Sequence, residues 1–185
     1  SKDIDKDSRS EATYFACLKI LSEAVGKLPL KLLRKTADDG VVEATDHPLY
    51  NMVRNRPNRF MTSTTFWSTN EYYRNHYGNS VSMISGYGNQ MQLIPLDYSK
   101  LEIWYDDGKI LNEVPDVWYV YNAEKPYLLS SEQVLHFKTS ITSNGIKGYS
   151  VREMLQSTIE GNQKAQRIQN ALFDNGFTSK AVVQY

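Results

Sequence analysis

The chain has 185 residues with 21 basic and 21 acidic side chains, and a chain of this length can bury a core without disulfides or metal ions. Because its formal net charge is zero, it lacks the overall basic field of proteins that hold phosphate groups tightly. No apolar run approaches the roughly 20 residues that span a bilayer, and the single cysteine, Cys17, is predicted to be a buried thiol in a reducing compartment.

Three helices are predicted before residue 79. Residues 1–9 are polar and expected to be frayed, and a first helix then runs from Ser10 to Leu28, with apolar residues at helical spacing. A small hairpin at 30–43, turning at Asp-Gly, separates it from a short helix that starts at Pro48. The third helix is capped by Thr62 and is expected to end at Gly78.

Between residues 79 and 138 the apolar pattern changes to a period of two, which is typical of β-strands. Turn-forming sequences interrupt it at 86–89, 106–108 and 123–126. We therefore predict an antiparallel β meander, with strands at 80–85, 90–94, 101–105, 117–121 and 134–137.

One long helix is predicted at 150–176, beginning at the capping residue Ser150 and ending at Gly176. Its apolar face is interrupted near the centre by Asn162 and Gln169. The interruption is explained equally well by a partly hydrated contact with another helix and by a surface helix whose amides reach solvent. The last residues, 181–185, have the pattern of a strand that is cut short, which suggests a fragment.

Motifs for catalysis and cofactor binding are missing from the sequence. Glycines near 86–88 and 144–148 lack the spacing of a dinucleotide fingerprint or of a phosphate-binding loop. The three histidines lie far apart, none beside a cysteine or a second histidine at ligand spacing, so no metal site is predicted. We therefore expect a protein without enzymatic activity, metal ion or cofactor.

The only basic cluster of the sequence consists of Arg54, Arg56, Arg59 and Arg74, interleaved with aromatic residues. Such a cluster can contact phosphates, so one alternative function is a small nucleic-acid-binding module. A solvated loop, or a subunit interface with salt bridges, explains the same pattern.

Six short motifs follow one another in a characteristic order. They are the helix at 14–30, DHPLY at 46–50 with RPN at 56–58, GNS at 78–80, LIPLD at 93–97, EQVLHF at 132–137 and GIKGYS at 145–150. Each motif is weak alone, but in this order they resemble those of phage portal proteins of the long-tailed, lambdoid-capsid type. The resemblance extends over residues 13–185, with Val151 standing where that family usually has proline.

The resemblance implies an α+β fold in which an antiparallel β meander flanked by helices forms a wing domain at 10–142. One long stem helix would follow at 150–176, and 181–185 would begin the clip. It also implies a structural subunit of a dodecameric portal ring at a capsid vertex, through whose channel double-stranded DNA enters and leaves. The subunit would take part in genome packaging, head assembly and head-tail joining.

The partners implied are further copies of the chain, the terminase large subunit, a head-tail adaptor and the major capsid or scaffold protein, with no membrane. The protein would reside in the virion, and in the host cytoplasm during assembly. Residues of the long helix are the candidates for contact with DNA or with a neighbouring subunit: Gln156, Glu160, Asn162, Gln163, Lys164, Arg167, Gln169 and Asn170.

Overall fold

The computed structural model describes residues 7–106, 116–142 and 144–174, apart from the side chains of 7–11, 89, 156–159 and 162–163. The helices within these ranges are α1 (Asp7–Gly26), α2 (Pro48–Arg54), α3 (Ser63–Tyr77) and α4 (Val151–Asp174). The strands are β1 (Leu33–Lys35), β2 (Val41–Glu43), β3 (Asn79–Ser85), β4 (Gln92–Pro95), β5 (Leu101–Tyr105), β6 (Val117–Tyr121), β7 (Tyr127–Ser130) and β8 (Val134–Lys138). The predicted α+β class is confirmed.

Helix α1 packs closely on helix α3. At Gly26 the two helices are so near that a Cβ atom would lie 2.7 Å from the carbonyl oxygen of Thr64 and would overlap the Ser68 hydroxyl. Near the other end of the contact, the Tyr14 hydroxyl lies 3.2 Å from Nδ1 of His76. Since residues 64, 68 and 76 share one face of a helix, this face of α3 is covered by α1.

The opposite face of α3 packs on a β-sheet. Phe66 is fully buried there, and Oδ1 of Asn70 accepts hydrogen bonds from the hydroxyls of Ser80 (2.7 Å) and Ser82 (2.8 Å). At 100° per residue this face lies roughly 160° from the face that meets α1. Helix α3 is therefore enclosed between α1 and the sheet.

Two antiparallel sheets form the remaining layers. The first has the strand order β4-β3-β8 and the second β5-β6-β7. Successive residues of a strand point to opposite faces, so Val81 points away from α3, toward the second sheet. There it belongs to one buried cluster with Ile103, Tyr119 and Leu129. The order of layers is thus α1, α3, first sheet, second sheet.

The predicted single meander is wrong in two respects. Strand β8 returns to pair with β3, because strands β5, β6 and β7 form a separate layer and leave that edge of β3 free. Strand β7 (Tyr127–Ser130) was not predicted, since its four residues follow directly on a turn that ends in Pro126 and give too short a pattern. The segment predicted to begin a further strand at 181–185 lies outside the described residues.

Helix α1 begins at Asp7, three residues earlier than predicted, and only part of its apolar surface is buried. Leu18 and Ser22 face α3 and are almost inaccessible to solvent. Cys17, by contrast, is exposed, so the prediction of a buried thiol is wrong. The reason is that α1 packs mainly on one neighbour, α3, while its apolar residues are distributed over more than one face.

Within the described residues, no helix combines the length and hydrophobicity that a membrane span requires. The same residues contain no group of three or more His, Cys, Asp or Glu side chains suited to hold a metal ion.

Candidate channel helix, its anchor and the basic cluster

Helix α4 begins with a capping box, as the sequence predicts for Ser150. The Ser150 hydroxyl accepts a 3.0 Å hydrogen bond from the backbone amide of Glu153, and the Glu153 carboxylate accepts one of 2.6 Å from the amide of Ser150. These bonds satisfy two amides at a point where a helix has no partners for them. The start of α4 is therefore fixed to a single residue.

Beyond its first turn, α4 has little packing against the rest of the chain. Its described side chains from Arg152 to Asp174 are all exposed, except that of Asn170, which is half-buried. The exposed ones include Met154, Leu155, Ile168, Leu172 and Phe173. Since the described apolar side chains of α4 after Val151 are exposed, the helix offers an apolar surface for contact with another molecule.

The exposed side chains of α4 divide into two faces. At 100° per residue, Met154, Leu155, Ile168 and Leu172 lie on one side and share it with Gln169. The other side carries the charged candidates Glu160, Lys164 and Arg167, with Lys164 at its edge, about 40° from Ile168. The side chains of the remaining candidates, Gln156, Asn162 and Gln163, lie outside the described residues.

The segment before α4 is anchored to the sheets by a buried hydrogen-bond network centred on Asn79. Its side chain accepts a 2.8 Å bond from the amide of Gly148 and donates one of 2.9 Å to the carbonyl of the same residue. Oδ1 of Asn79 also lies 3.0 Å from Nε2 of His136, whose Nδ1 lies 3.1 Å from the Tyr119 hydroxyl. Both sheets thus contribute to holding the position from which α4 starts.

The network defines the protonation state of His136. Because Oδ1 of Asn79 can only accept, Nε2 of His136 must carry the proton, and Nδ1 is then free to accept from the Tyr119 hydroxyl. Burial, assisted by the positive charge of Lys138, lowers the pKa of His136 from 6.5 to about 4. The imidazole is therefore neutral at neutral pH, as this arrangement requires.

The predicted basic cluster is divided in the structure. Arg54, Arg56 and Arg59 lie at the end of α2 and in the loop after it. Arg74 lies in α3 and donates two hydrogen bonds to Glu71, of 2.7 and 2.5 Å, which neutralise its charge locally. A role in binding DNA stays a prediction, now with three arginines as its main contributors.

The loop that carries these arginines is held by Asn58. The Asn58 side chain donates a 2.8 Å bond to the carbonyl of Leu93 and accepts bonds of 2.9 Å from the amides of Phe60 and Met61. Asn58 is buried, whereas Arg56 and Arg59 are exposed on either side of it. The RPN motif and the arginine after it thus place two cations on the surface, one on each side of a buried asparagine.

The sequence motifs meet in the structure. Asn58 of the RPN motif bonds to Leu93 of LIPLD, while Asn79 of GNS bonds both to His136 of EQVLHF and to Gly148 of GIKGYS. Reasoning from the sequence found these motifs but missed that Asn79 and His136 anchor the start of α4. Only the order of the motifs along the chain hinted at this role. Hydrogen-bonded partners that lie up to 69 residues apart produce no local sequence pattern.

The fold is similar to solved structures of gene transfer agent (GTA) particles. A chain in the virion of a native GTA particle matches with a TM-score of 0.63 and 15% identity, covering 92% of this chain and 44% of that one. A chain in the neck of an empty GTA particle, computed with C6 symmetry, gives 0.66 and 15% over the same shares. One in the neck of a native particle, computed with C12 symmetry, gives 0.60 and 14%, covering 90% and 42%.

This chain therefore spans less than half the length of the similar chains in those particles. A comparison with curated protein sequences finds no match. The model of the phage portal protein family, however, matches residues 12–185, which is nearly the entire sequence. The chain belongs to the phage portal protein family.

Proposed function

We propose that this protein is a structural subunit of a portal ring of about twelve copies, which forms the channel for double-stranded DNA at one vertex of a capsid. The observation that carries the proposal is the family match over residues 12–185. The C12 symmetry of one of the similar particles supports the number of copies. In this role the subunit acts in genome packaging, head assembly and head-tail joining, and catalyses no reaction.

Helix α4 is the proposed stem helix, following a wing at 10–142. An apolar side that is exposed in the isolated chain would pack against stem helices in the ring, with Gln169 as a polar point in that contact. The charged side, with Glu160, Lys164 and Arg167, would then be available to the channel. Mixed charge suits a channel wall, because strong neutralisation of phosphates would impede the movement of DNA.

The proposed partners follow from the role. The terminase large subunit would dock during packaging and a head-tail adaptor afterwards, while the major capsid or scaffold protein would surround the ring. The ring would form in the host cytoplasm and remain in the virion.

The experiment that tests the function is the mass of the full-length protein in solution, together with electron microscopy of the same sample. A closed ring of about twelve copies with a central channel is expected. A stable monomer whose affinity for DNA falls steeply with salt, and which loses this affinity when Arg56 and Arg59 are changed to alanine, would instead support the nucleic-acid-binding alternative.

A further inference from the structure

Two exposed apolar surfaces lie on the outermost layers of the fold. One, the α1 stripe, consists of Cys17, Ile20, Leu21 and Ala24 of α1 together with Leu28, two residues after its end, and all five are exposed. Ile20 is exposed to 67% and Leu28 to 64%, values unusual for side chains of this kind. The stripe is a second apolar face of α1, distinct from the face that packs on α3.

The other surface, the tryptophan face, lies on the outer side of the second sheet. Trp104 and Trp118 are directly opposite each other on neighbouring strands and are exposed to 58% and 41%. Leu128 on the third strand is exposed to 61%. Since Nε1 of Trp104 donates to the Glu102 carboxylate at 2.9 Å, its only polar group is satisfied and its ring remains an apolar contact surface.

The order of layers puts the two surfaces at opposite ends of the subunit. The α1 stripe belongs to the first layer, roughly 120° around α1 from the side that meets α3. The tryptophan face is outside the fourth layer, and α3 and the first sheet lie between the two surfaces. A cyclic ring is built from contacts in which each subunit uses two different surfaces. In a ring of twelve, neighbours are rotated by only about 30°, so the two surfaces must lie nearly opposite each other.

The charges around the two surfaces are complementary. Residues 12–28, which contain the α1 stripe, carry Lys19 and Lys27 against Glu23, a net charge of +1. The described residues of the second sheet and its turns, 100–106 and 116–133, carry two cations against five anions, a net charge of −3. Opposite charges favour contact between unlike surfaces over contact between two copies of the acidic one.

We propose that the tryptophan face of one subunit packs on the α1 stripe of the next copy, and that this contact joins the wings around the ring. The inference rests on the proposed ring. It also accounts for Cys17, which the sequence predicts to be buried and the single chain leaves exposed: the neighbouring subunit covers it.

Thiol alkylation of the full-length protein tests the contact. Cys17 reports on the α1 stripe, and a Leu128→Cys substitution, introduced with Cys17 changed to serine, reports on the tryptophan face. Any other cysteine of the full-length chain is changed to serine in both. Each thiol is labelled before assembly and within the isolated ring, and we expect alkylation in the ring to be at least about tenfold slower at both positions.

A Tyr87→Cys variant is the matched control, because Tyr87 is exposed to 92% and belongs to neither surface. Its alkylation rate should be the same before and after assembly. If a ring forms and either Cys17 or the thiol at 128 still reacts at the rate of the unassembled protein, the proposed contact is wrong, although the proposed ring is confirmed. If no ring forms, the proposed function fails and the contact fails with it.

Discussion

The imidazole Nε2 of His136 donates to the side-chain oxygen of Asn79 across 3.0 Å, joining strand β8 to the first residue of β3. The same oxygen accepts a hydrogen bond from the backbone amide of Gly148, two residues before Ser150, the capping residue of α4. The start of the long helix is therefore coupled to the protonation state of one buried histidine.

The pKa of His136 predicts a loss of stability in acid. In the unfolded chain the imidazole has its ordinary pKa of 6.5, whereas in the folded protein the pKa is about 4. Between these values the unfolded chain binds a proton that the folded chain does not. The stabilisation is thus complete above pH 6.5 and is lost as the pH falls toward 4, by up to about 3 kcal/mol.

A His136→Gln variant checks this prediction by urea denaturation between pH 7 and pH 4. The wild type should be more stable at pH 7, and its advantage should shrink as the pH falls. A Tyr119→Phe variant, which keeps the imidazole, should retain most of the pH dependence of the wild type. A difference between wild type and His136→Gln that does not change with pH would show that His136 is not the titrating group.

Replacing Gly78 by alanine is predicted to destabilise the fold more than the same change at Gly145, because only residue 78 lacks space for a Cβ atom. Both glycines have nearly the same positive φ, 76° and 75°, so alanine at either position costs about 1 kcal/mol in backbone strain. A Cβ at residue 78 would also collide with the backbone of Gly148 and Tyr149, whereas residue 145 has open space. Denaturation should show a loss of at least about 3 kcal/mol for Gly78→Ala and about 1 kcal/mol for Gly145→Ala; equal losses would refute the steric argument.

Asn70 is predicted to be a major stabilising residue of the interior. Replacing it by alanine leaves the buried hydroxyls of Ser80 and Ser82 without their acceptor, which should cost about 2–4 kcal/mol in the free energy of unfolding. Changing both serines to alanine in the Asn70→Ala background should restore part of this loss. Asn122→Ala, which removes an exposed bond to Glu102, is the control and should cost no more than about 0.5 kcal/mol.

Substitution of Lys164 and Arg167 is predicted to change the packaging or retention of DNA without changing the stability of the fold. Both side chains are exposed on the charged side of α4, so changing both to glutamate should alter the thermal midpoint of the protein very little. In assembled particles we expect less DNA to be packaged or retained, because the channel wall would become acidic. A Lys125→Glu variant, in an exposed turn of the second sheet, serves as the control, and normal DNA content in the double variant would remove both residues from the channel.

Much of the fold could be predicted from local sequence. Thr62 caps α3, Gly78 ends it with a positive φ, and Ser150 begins α4, because capping depends on residues within one turn. The division into two sheets could not be predicted, since the pairing of β8 with β3 is decided by which layer each strand joins. The exposure of Cys17 was missed because helical spacing identifies an apolar face but not what covers it.

Within the candidate site, Glu160, Lys164 and Arg167 lie in α4, and their contact with DNA or a neighbouring subunit stays a prediction. The sequence did not indicate that Arg74 is neutralised, although Glu71 stands three residues before it, at a spacing that favours an ion pair. The Asn79 network joins residues from four distant segments, and only the full fold brings them together.

Helix α4 is held at its capped end, close to Asn79, while nearly all of its described side chains beyond the first turn are exposed. A small rotation at the held end would therefore be magnified along the helix. Its 24 residues span about 36 Å, so a tilt of about 5° at the held end displaces the far end by about 3 Å. If α4 is the stem helix of the proposed ring, a rearrangement around Gly148 too small to disturb the sheets would change the width of the channel. In the proposed ring, a small change in the wing would then alter the channel around the DNA without any movement of the strands.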